Sequence, residues 1–347
     1  LRFPQRARQA GPGWTSGGEI VMGRYLLTGA AGFIASRVAD MLLDAGHVVF
    51  GLDNMNDAYD VCMKEYRLAK LEKHPHFHFQ HMDIADRDRM AAFESDGETF
   101  AAVINLAARA GVRYSVENPW EYFRTNLDGT LNLLEFARRR KIPKFILASS
   151  SSVYGPDAPL PTPEDANTDR PLQPYAASKK AAEVLCHAYH ALHGLDVTIF
   201  RYFTVYGPAG RPDMVMFRFI QWMCEGRTVY VNGDGKQSRG FTYVDDIARG
   251  TILGLQPVGY EIFNLGGHQQ ISLEELIRGL EARIGSSAKI DYREAHPADL
   301  RKNWADVEKA KRILGWEPKV TFDEGLDAAL AWYQSERAWA CEVDTSD

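Results

Sequence analysis

The sequence predicts an α/β protein built on a doubly wound parallel sheet. Residues 24–28 form a short apolar strand signal that runs into a glycine-rich turn and then into a helix whose apolar residues recur at helical spacing. A second apolar strand at 47–52 is followed directly by a carboxylate, Asp53. Further strand signals alternate with helical patterns, an order that places helices on both faces of a parallel sheet.

The remaining strand signals set the expected domain organisation. They lie at 77–82, 102–106, 144–148 and 197–200. We expect a large Rossmann-like domain at 22–200 and a smaller C-terminal α/β substrate domain at 201–340, with the chain crossing between them more than once. Residues 1–21 are rich in Arg, Gly, Pro and Gln and lack periodicity, so we expect a disordered arm or a vector remnant.

Composition excludes several classes of protein. The chain has 347 residues, of which 45% are hydrophobic and 25% charged, as is ordinary for a globular protein. Its formal net charge of −6 argues against a nucleic-acid partner, because no basic stripe is present to neutralise phosphates. No apolar run approaches the ~20 residues of a membrane span, so no membrane partner is expected. The four cysteines form no Cys-x-x-Cys pair, which predicts a reduced cytoplasmic protein without a structural metal.

The turn Gly29-Ala30-Ala31-Gly32-Phe33-Ile34-Ala35 stands where a dinucleotide fingerprint requires it, between a strand and a helix. Gly29 permits a tight turn, and Gly32 lets backbone N–H groups approach a pyrophosphate at the helix N-terminus. The Asp53 carboxylate can accept hydrogen bonds from ribose hydroxyls and would repel a 2′-phosphate, so NAD is favoured as cofactor. The predicted cofactor contacts in this half are Gly29, Ala31, Gly32, Phe33, Ile34, Asp53, Asn54, Asp83, Ile84, Leu106, Ala107 and Ala108.

A tyrosine and a lysine four residues apart predict a general base. Tyr175 and Lys179 project from one helix face, so the lysine ammonium is expected to favour the ionised phenol. A free phenol titrates near pH ~10, and bringing its pKa to about 7 requires roughly 4 kcal/mol. A phenolate of this kind could accept a proton from a sugar or alcohol hydroxyl.

The spacing alone is a weak signal. Tyr66 and Lys70 repeat it in a charged segment that has the character of a solvated helix. What distinguishes the Tyr175 pair is its position downstream of a nucleotide-binding turn and of the segment Ser149-Ser150-Ser151-Ser152-Val153-Tyr154-Gly155.

These motifs together resemble the extended short-chain dehydrogenase/reductase superfamily, and in particular its NAD-dependent nucleotide-sugar epimerases and dehydratases. The resemblance covers residues 22–335 and includes Arg201-Tyr202-Phe203 and Gly240-Phe241-Thr242-Tyr243. It implies that Ser150 works with Tyr175 and Lys179, and that the sugar 4-hydroxyl is oxidised first to a 4-keto sugar nucleotide. It adds Asn126, Ser149 and Tyr202 to the cofactor set.

The residues after the catalytic serine decide the fate of the ketone. Dehydratases of this superfamily carry Asp-Glu there, and UDP-glucuronate decarboxylases carry Glu in the second position, whereas this chain has Ser151 and Ser152. Neither residue can supply acid/base chemistry for elimination. The resemblance therefore implies epimerisation.

The segment around Thr204 and Arg211 bears on the sugar. Neutral-hexose epimerases typically have Asn at the position of Thr204, and Thr-Val-Tyr-Gly-Pro followed by Arg-Pro-Asp-Met is similar to UDP-glucuronate 4-epimerases. A hexuronate carboxylate needs donors, because a buried unpaired anion costs several kcal/mol. Hydroxyls of Ser151, Ser152 and Thr204 and the charge of Arg211 could supply them. Phe203 completes this part of the expected substrate set.

The nucleotide end of the substrate is assigned by resemblance. Arg239 is similar to the family's pyrophosphate-binding arginine, and Arg113 is expected at the phosphates or sugar. Asp299 is placed to meet the uridine ribose, although His296 stands where relatives have a second arginine. Phe217 and Val231 are candidate walls for the uracil.

The resemblance carries two further expectations. Helices at 119–139 and 175–193 carry more apolar positions than one face needs, which implies a homodimer with a four-helix interface. The alternatives to a UDP-glucuronate 4-epimerase are a UDP-glucose/galactose 4-epimerase, a UDP-glucuronate decarboxylase and a non-catalytic NAD-binding scaffold.

Overall fold

The computed structural model describes residues 22–93, 100–267, 269–295 and 300–345. The predicted arm at 1–21 lies outside these residues. The strands are β1 Arg24–Thr28, β2 Val48–Asp53, β3 Phe77–His81, β4 Ala102–Asn105, β5 Lys144–Ser150, β6 Asp196–Tyr202, β7 Val205–Tyr206, β8 Thr228–Asn232, β9 Ser238–Gly240, β10 Thr242–Tyr243, β11 Tyr260–Leu265, β12 Gln270–Ser272, β13 Lys289–Arg293 and β14 Lys302–Asn303.

The helices alternate with these strands along most of the chain. They are α1 Phe33–Asp44, α2 Cys62–Leu71, α3 Arg87–Ala92, α4 Tyr114–Glu117, α5 Pro119–Phe123, α6 Gly129–Arg140, α7 Pro174–His193, α8 Val215–Cys224, α9 Val244–Leu253, α10 Leu273–Ile284, α11 Glu308–Leu314 and α12 Phe322–Ala340. A π-helical turn, Arg124–Asp128, joins α5 to α6, and a 3₁₀ turn, Ser151–Tyr154, follows β5.

Among the described residues, seven parallel strands form the main sheet in the order β11-β6-β5-β4-β1-β2-β3. The strand order reverses between β1 and β4, and ligands bind at the carboxyl ends of strands beside such a switch point. The predicted doubly wound parallel sheet is therefore confirmed. Strand β11 comes from the C-terminal half of the chain and pairs with β6, so the division at residue 200 stays a prediction.

Helices cover both faces of the sheet, as the alternating pattern predicts. On one face Val38 and Leu42 of α1 pack with Ile247 of α9 and Leu314 of α11. Leu133 and Phe136 of α6, together with Ala182 and Cys186 of α7, fill the core on the other face. The central strands β1, β4 and β5 are thereby buried from two sides, which explains their largely apolar sequences.

A third core lies in the C-terminal half. Helices α8, α10 and α12 pack around the short strand β8, and the shared core includes Phe219, Val229, Leu276 and Leu330. The small sheets β12-β9-β14 and β13-β8 belong to this half of the chain. This layer forms the smaller α/β unit that the sequence predicts.

None of the helices in the described ranges is long and apolar enough to cross a membrane. In the same ranges no three His, Cys, Asp or Glu side chains are grouped so as to hold a metal ion. The histidines at 78 and 81 lie on strand β3 with exposed side chains.

Candidate active site

A cavity of about 410 Å³ opens at the carboxyl ends of the parallel strands, where both halves of the chain contribute. Most of the predicted site residues line it. They are Gly29, Gly32, Phe33, Ile34, Asp53, Asn54, Asp83, Ile84, Leu106, Ala107, Ala108, Ser149, Ser150, Ser151, Ser152, Tyr175, Lys179, Tyr202, Phe203, Thr204, Arg211 and Arg239. Residues that are far apart in sequence are thus brought to one site.

The glycine turn at the start of α1 leaves room for a ligand backbone. Gly29 has a φ of +70°, and a Cβ there would lie 2.9 Å from the Ala107 backbone. A Cβ on Gly32 would lie 2.8 Å from the Gly29 carbonyl oxygen. Gly32 is the N-cap of α1 and caps it without a side chain, so the first N–H groups of the helix remain available to an anion. This cradle fits a dinucleotide pyrophosphate.

Asp53 is fixed at the end of β2 and is only 7% exposed. Its Oδ2 accepts a hydrogen bond from the Ala31 N–H at 3.1 Å, and its Oδ1 accepts one from the Met55 N–H at 2.8 Å. Lys64 Nζ lies 3.7 Å from Oδ1. Carboxylate oxygens have further lone pairs for ribose hydroxyls, so Asp53 fits the adenosine end of NAD. Ala31 does not line the cavity, but its N–H helps to hold the Asp53 carboxylate in place.

Asp83 and Ile84 lie beside Asp53, after strand β3. The Asp83 carboxylate accepts from the Ala85 N–H at 2.9 Å and from Arg124 Nη2 at 2.8 Å. Tyr202, at the end of β6, shares a hydrogen bond of 2.7 Å with the Thr251 hydroxyl.

Asn126 supports the cavity from behind. It is 2% exposed and lies in the π-helical turn. Its side chain accepts from the Arg109 N–H at 2.9 Å, and donates to the Arg109 carbonyl at 3.0 Å and to the Ser178 hydroxyl at 2.9 Å. It therefore joins the segment after β4 to helix α7, on which Tyr175 lies.

Ser150, Tyr175 and Lys179 all line the cavity. Burial raises the pKa of the Tyr175 phenol above its usual value, while a hydrogen bond with Ser150 and the positive charge of Arg211 act in the opposite direction. The sequence predicts that Lys179 supplies such a charge, which stays a prediction, and Arg211 is a charge that the sequence reasoning did not assign to Tyr175. Lys179 Nζ donates to the Ala148 carbonyl at 2.9 Å.

Lys179 lies in a dry environment at 4% exposure. Burial lowers the pKa of its ammonium to about 8, and the nearby Glu183 carboxylate acts in the opposite direction. Glu183 is itself buried, where it accepts from Ser149 Oγ at 2.6 Å and from Arg201 Nε and Nη2 at 2.9 and 2.8 Å. Through these hydrogen bonds, Glu183 of α7 holds the end of β5 at Ser149 and pairs with Arg201 of β6.

The hydroxyl-rich wall of the cavity consists of Ser150, Ser151, Ser152 and Thr204. Ser150 Oγ accepts from the Ser152 N–H at 3.2 Å, and Ser151 Oγ accepts from Asn303 Nδ2 at 2.8 Å. No carboxylate stands at the two positions after Ser150. The wall can therefore donate hydrogen bonds to an anion and lacks an acid/base group of its own for elimination.

Two arginines lie at the edge of this wall. Arg211 lines the cavity and forms a bidentate ion pair with Asp213. Arg239 also lines it, and its Nη1 donates to the Ser238 carbonyl at 2.9 Å.

Among the described residues, three predicted substrate contacts do not line the cavity. Arg113 lies outside its lining, where it donates to the Asn232 side-chain oxygen at 2.8 and 3.1 Å in the amide orientation that satisfies both groups. Phe217 and Val231 are buried in hydrophobic clusters, at 5% and 1% exposure, and their role as uracil walls stays a prediction. Asp299, like His296, lies outside the described residues.

Sequence reasoning missed several lining residues, among them Asn56, Tyr59, Lys64, Gln173 and Asn303. Asn56 and Tyr59 follow β2 closely, and loops after parallel strands line ligand sites, so this position was a usable signal. Nothing in the local sequence marks Gln173 or Asn303, because tertiary folding alone brings them to the cavity.

The fold and the site together define a dinucleotide-dependent enzyme that acts on a hydroxyl group. The chain belongs to the NAD dependent epimerase/dehydratase family, whose family model matches residues 25–266. Because the family is NAD-dependent and the turn, the α1 N-terminus and Asp53 fit a dinucleotide, NAD is the cofactor.

Individual relatives are similar over nearly the whole chain. A UDP-glucuronate 4-epimerase of Thermodesulfobacterium geofontis is 52% identical over 314 residues, which cover 90% of this chain and 96% of the relative. The UDP-glucuronic acid 4-epimerase of Bacillus cereus, solved with UDP-glucuronic acid and NAD, is 36% identical with a TM-score of 0.84, over 90% of this chain and 99% of that one. The Thermotoga maritima UDP-glucose 4-epimerase, solved with UDP-glucose, is 32% identical with a TM-score of 0.83, over 90% and 99%.

Proposed function

We propose that this protein interconverts UDP-glucuronate and UDP-galacturonate by epimerisation at C4 through a 4-keto intermediate, without decarboxylation. One observation carries the proposal. The set Ser150, Tyr175 and Lys179 shares a cavity with a wall of hydroxyl donors and with Arg211. The similarity to UDP-glucuronate 4-epimerases supports the same function.

The chain's own residues handle the proton. Tyr175 accepts the proton of the sugar 4-hydroxyl and later returns it, while the Ser150 hydroxyl orients that group. Arg211 favours the phenolate by its charge, and Ser150 does so by hydrogen bonding. NAD, when bound along the glycine turn and Asp53, supplies the chemistry of reversible hydride transfer.

The hydroxyl wall explains why the 4-keto sugar would keep its carboxylate. A 4-keto hexuronate is a β-keto acid, and it loses its carboxylate readily when the breaking bond is aligned with the ketone π system. Ser151, Ser152 and Thr204 can donate to the carboxylate and hold this bond out of alignment. Unlike a carboxyl group, a hydroxyl at these positions does not ionise near neutral pH, so it can donate to the substrate carboxylate without acting as a general acid or base. Their position beside Ser150 supports this role.

The experiment is an incubation of the full chain with UDP-glucuronate, followed by NMR identification of the products. UDP-galacturonate is the expected product. UDP-xylose or a 4-keto pentose would indicate decarboxylation instead, and absence of turnover would indicate a scaffold. Faster turnover of UDP-glucose than of UDP-glucuronate would contradict the proposed role of the hydroxyl wall.

We further propose that the protein is a homodimer and acts in the cytoplasm. Helix α5 packs against α7, and both carry exposed apolar side chains: Trp120 is 82% exposed and Val184 is 58% exposed. All four cysteines are free thiols, which suits a reducing compartment.

A further inference from the structure

Arg67 on α2 is a buried cation that the mechanism above does not use. Only 3% of the residue is exposed, and its guanidinium donates to three separate segments. Nη1 donates to the Ala31 carbonyl at 3.3 Å and to the Tyr59 hydroxyl at 2.9 Å. Nε and Nη2 donate to the Ala209 carbonyl at 3.0 and 2.8 Å, and Nη2 donates to the Gly210 carbonyl at 2.9 Å. One side chain thus joins the cofactor turn to a loop of the substrate half.

The loop that Arg67 holds has a strained backbone. Ala209 has a φ of +53°, in the left-handed region that disfavours residues with a Cβ. Three of the five hydrogen bonds of Arg67 go to the carbonyls of Ala209 and Gly210, and Arg211 is the next residue. The contact therefore fixes the backbone from which the Arg211 side chain projects.

The Tyr59 ring is a second link between Arg67 and Arg211. The Arg67 and Arg211 guanidinium carbons lie 5.6 and 5.5 Å from its centroid, and Lys64 Nζ lies at 5.4 Å. Tyr59 itself lines the cavity. Because Lys64 also neighbours Asp53, this cluster extends from the ribose end of the cofactor site to the arginine of the substrate site.

We propose that Arg67 is a positioning residue that ties the cofactor turn to the loop of Arg211 and so sets where Arg211 lies relative to Tyr175. The inference rests on the proposed function for its kinetic consequences. Within the described part of the chain, Arg67 forms no hydrogen bond to Tyr175 or to the hydroxyl wall, so its effect on turnover would pass through Arg211.

The first measurement is amide hydrogen exchange of segment 205–216 in the full chain, which needs no turnover. Arg67→Lys keeps the charge but cannot reach all of the carbonyls, so exchange in this segment should become about tenfold faster. Tyr59→Phe removes only one acceptor and should give a smaller change in the same segment. Arg249→Lys is the matched control, because Arg249 also donates to a backbone carbonyl, that of Glu317, while its other partner is the Asp246 carboxylate.

The second measurement is a double-mutant cycle on kcat/KM for UDP-glucuronate. Arg67→Lys should lower kcat/KM by about tenfold, in line with the cost of a misplaced catalytic geometry. The double variant with Arg211→Lys should lose little more than the worse single variant, since both act through one group. The acidic limb of the pH profile should also move upwards, because Arg211 lowers the pKa of Tyr175.

The outcomes separate the two proposals. If the wild-type protein leaves UDP-glucuronate unchanged, the proposed function fails, whereas hydrogen exchange still tests the role of Arg67. Unchanged exchange at 205–216 in both Arg67→Lys and Tyr59→Phe would overturn the inference. Additive losses in the cycle, or a loss no larger than that of Arg249→Lys, would overturn it as well.

Discussion

Arg211 and Asp213 form a bidentate ion pair, with Nε 3.0 Å from Oδ1 and Nη2 2.5 Å from Oδ2. Burial would raise the pKa of Asp213, but the Arg211 guanidinium holds it below its usual value. A guanidinium has five N–H donors, and this pair occupies two of them. Three donors lie outside this pair, so Asp213 can orient Arg211 while other N–H groups serve an anion in the cavity.

Removing the orienting carboxylate should therefore impair catalysis. Asp213→Asn should lower kcat/KM for UDP-glucuronate by about tenfold or more, because the guanidinium would lose its fixed direction. The matched control is Asp245→Asn, since Asp245 forms a similar bidentate pair with Arg37, at 2.6 and 3.0 Å. Steady-state kinetics of both variants provide the test, and equal losses would contradict the orienting role.

Arg211 itself should matter more for the charged sugar than for a neutral one. Arg211→Ala should reduce UDP-glucuronate turnover about a hundredfold, while UDP-glucose turnover, measured in parallel, should fall less. Tyr66→Phe is the control, because Tyr66 bonds Glu336 and Trp332 and does not line the cavity. Comparable losses from the two substitutions would refute the assignment of Arg211.

The buried Lys179 predicts a distinct pH dependence of stability. Its pKa falls from 10.5 in the unfolded chain to about 8 in the folded protein. The unfolded state therefore binds more protons between these values, and the folded state is destabilised by about 3 kcal/mol below pH 8. This cost disappears as the pH rises through 8 towards 10.5.

Urea unfolding of the wild type and of Lys179→Met at pH 7 and pH 10 measures the effect. The free energy of unfolding of the wild type, relative to Lys179→Met, should rise by about 2 to 3 kcal/mol between the two pH values. A difference that stays constant with pH would show that the lysine is not desolvated as the structure indicates.

The proposed dimer predicts a sensitive position on α5. Trp120→Glu places a charge on the most exposed large apolar side chain described, and burying that charge at an interface would be costly. Light scattering should show a dimer for the wild type and a monomer for the variant. Leu160→Glu, at an exposed apolar residue outside α5 and α7, should leave the mass unchanged. A monomeric wild type would refute the dimer.

Much of the fold could be predicted because its signals are local. The strand predicted at 24–28 has the observed bounds of β1, and the glycine turn before α1 lies where its sequence indicates. The predicted strands end at 148 and 200, two residues before the observed ends of β5 and β6. The reason is that Ser149, Ser150 and Arg201 are polar yet continue the strands. Their polar groups are satisfied by Glu183 and other tertiary partners, which no sequence window contains.

The candidate site was predictable where a motif fixes the chemistry and unpredictable where packing decides. The Tyr175 and Lys179 spacing located the helix of the proposed general base, but it gave no sign that the charge of Arg211, 36 positions away in the sequence, also acts on Tyr175. Phe217 and Val231 show where packing matters, because both lie in hydrophobic clusters and their contact with the uracil stays a prediction. An apolar side chain has the same pattern whether it faces a ligand or a core, and only the packing distinguishes the two.

The late position of strand β11 in the sequence affects how the main sheet forms during synthesis. This strand pairs with β6 along the edge of the main sheet, although it is encoded some 60 residues later. During synthesis, the backbone N–H and C=O groups on this edge of β6 stay unpaired until residues 260–265 have left the ribosome. We infer that a ribosome-bound chain ending before residue 260 exposes this edge, and that the nascent protein is most prone to aggregate in that interval.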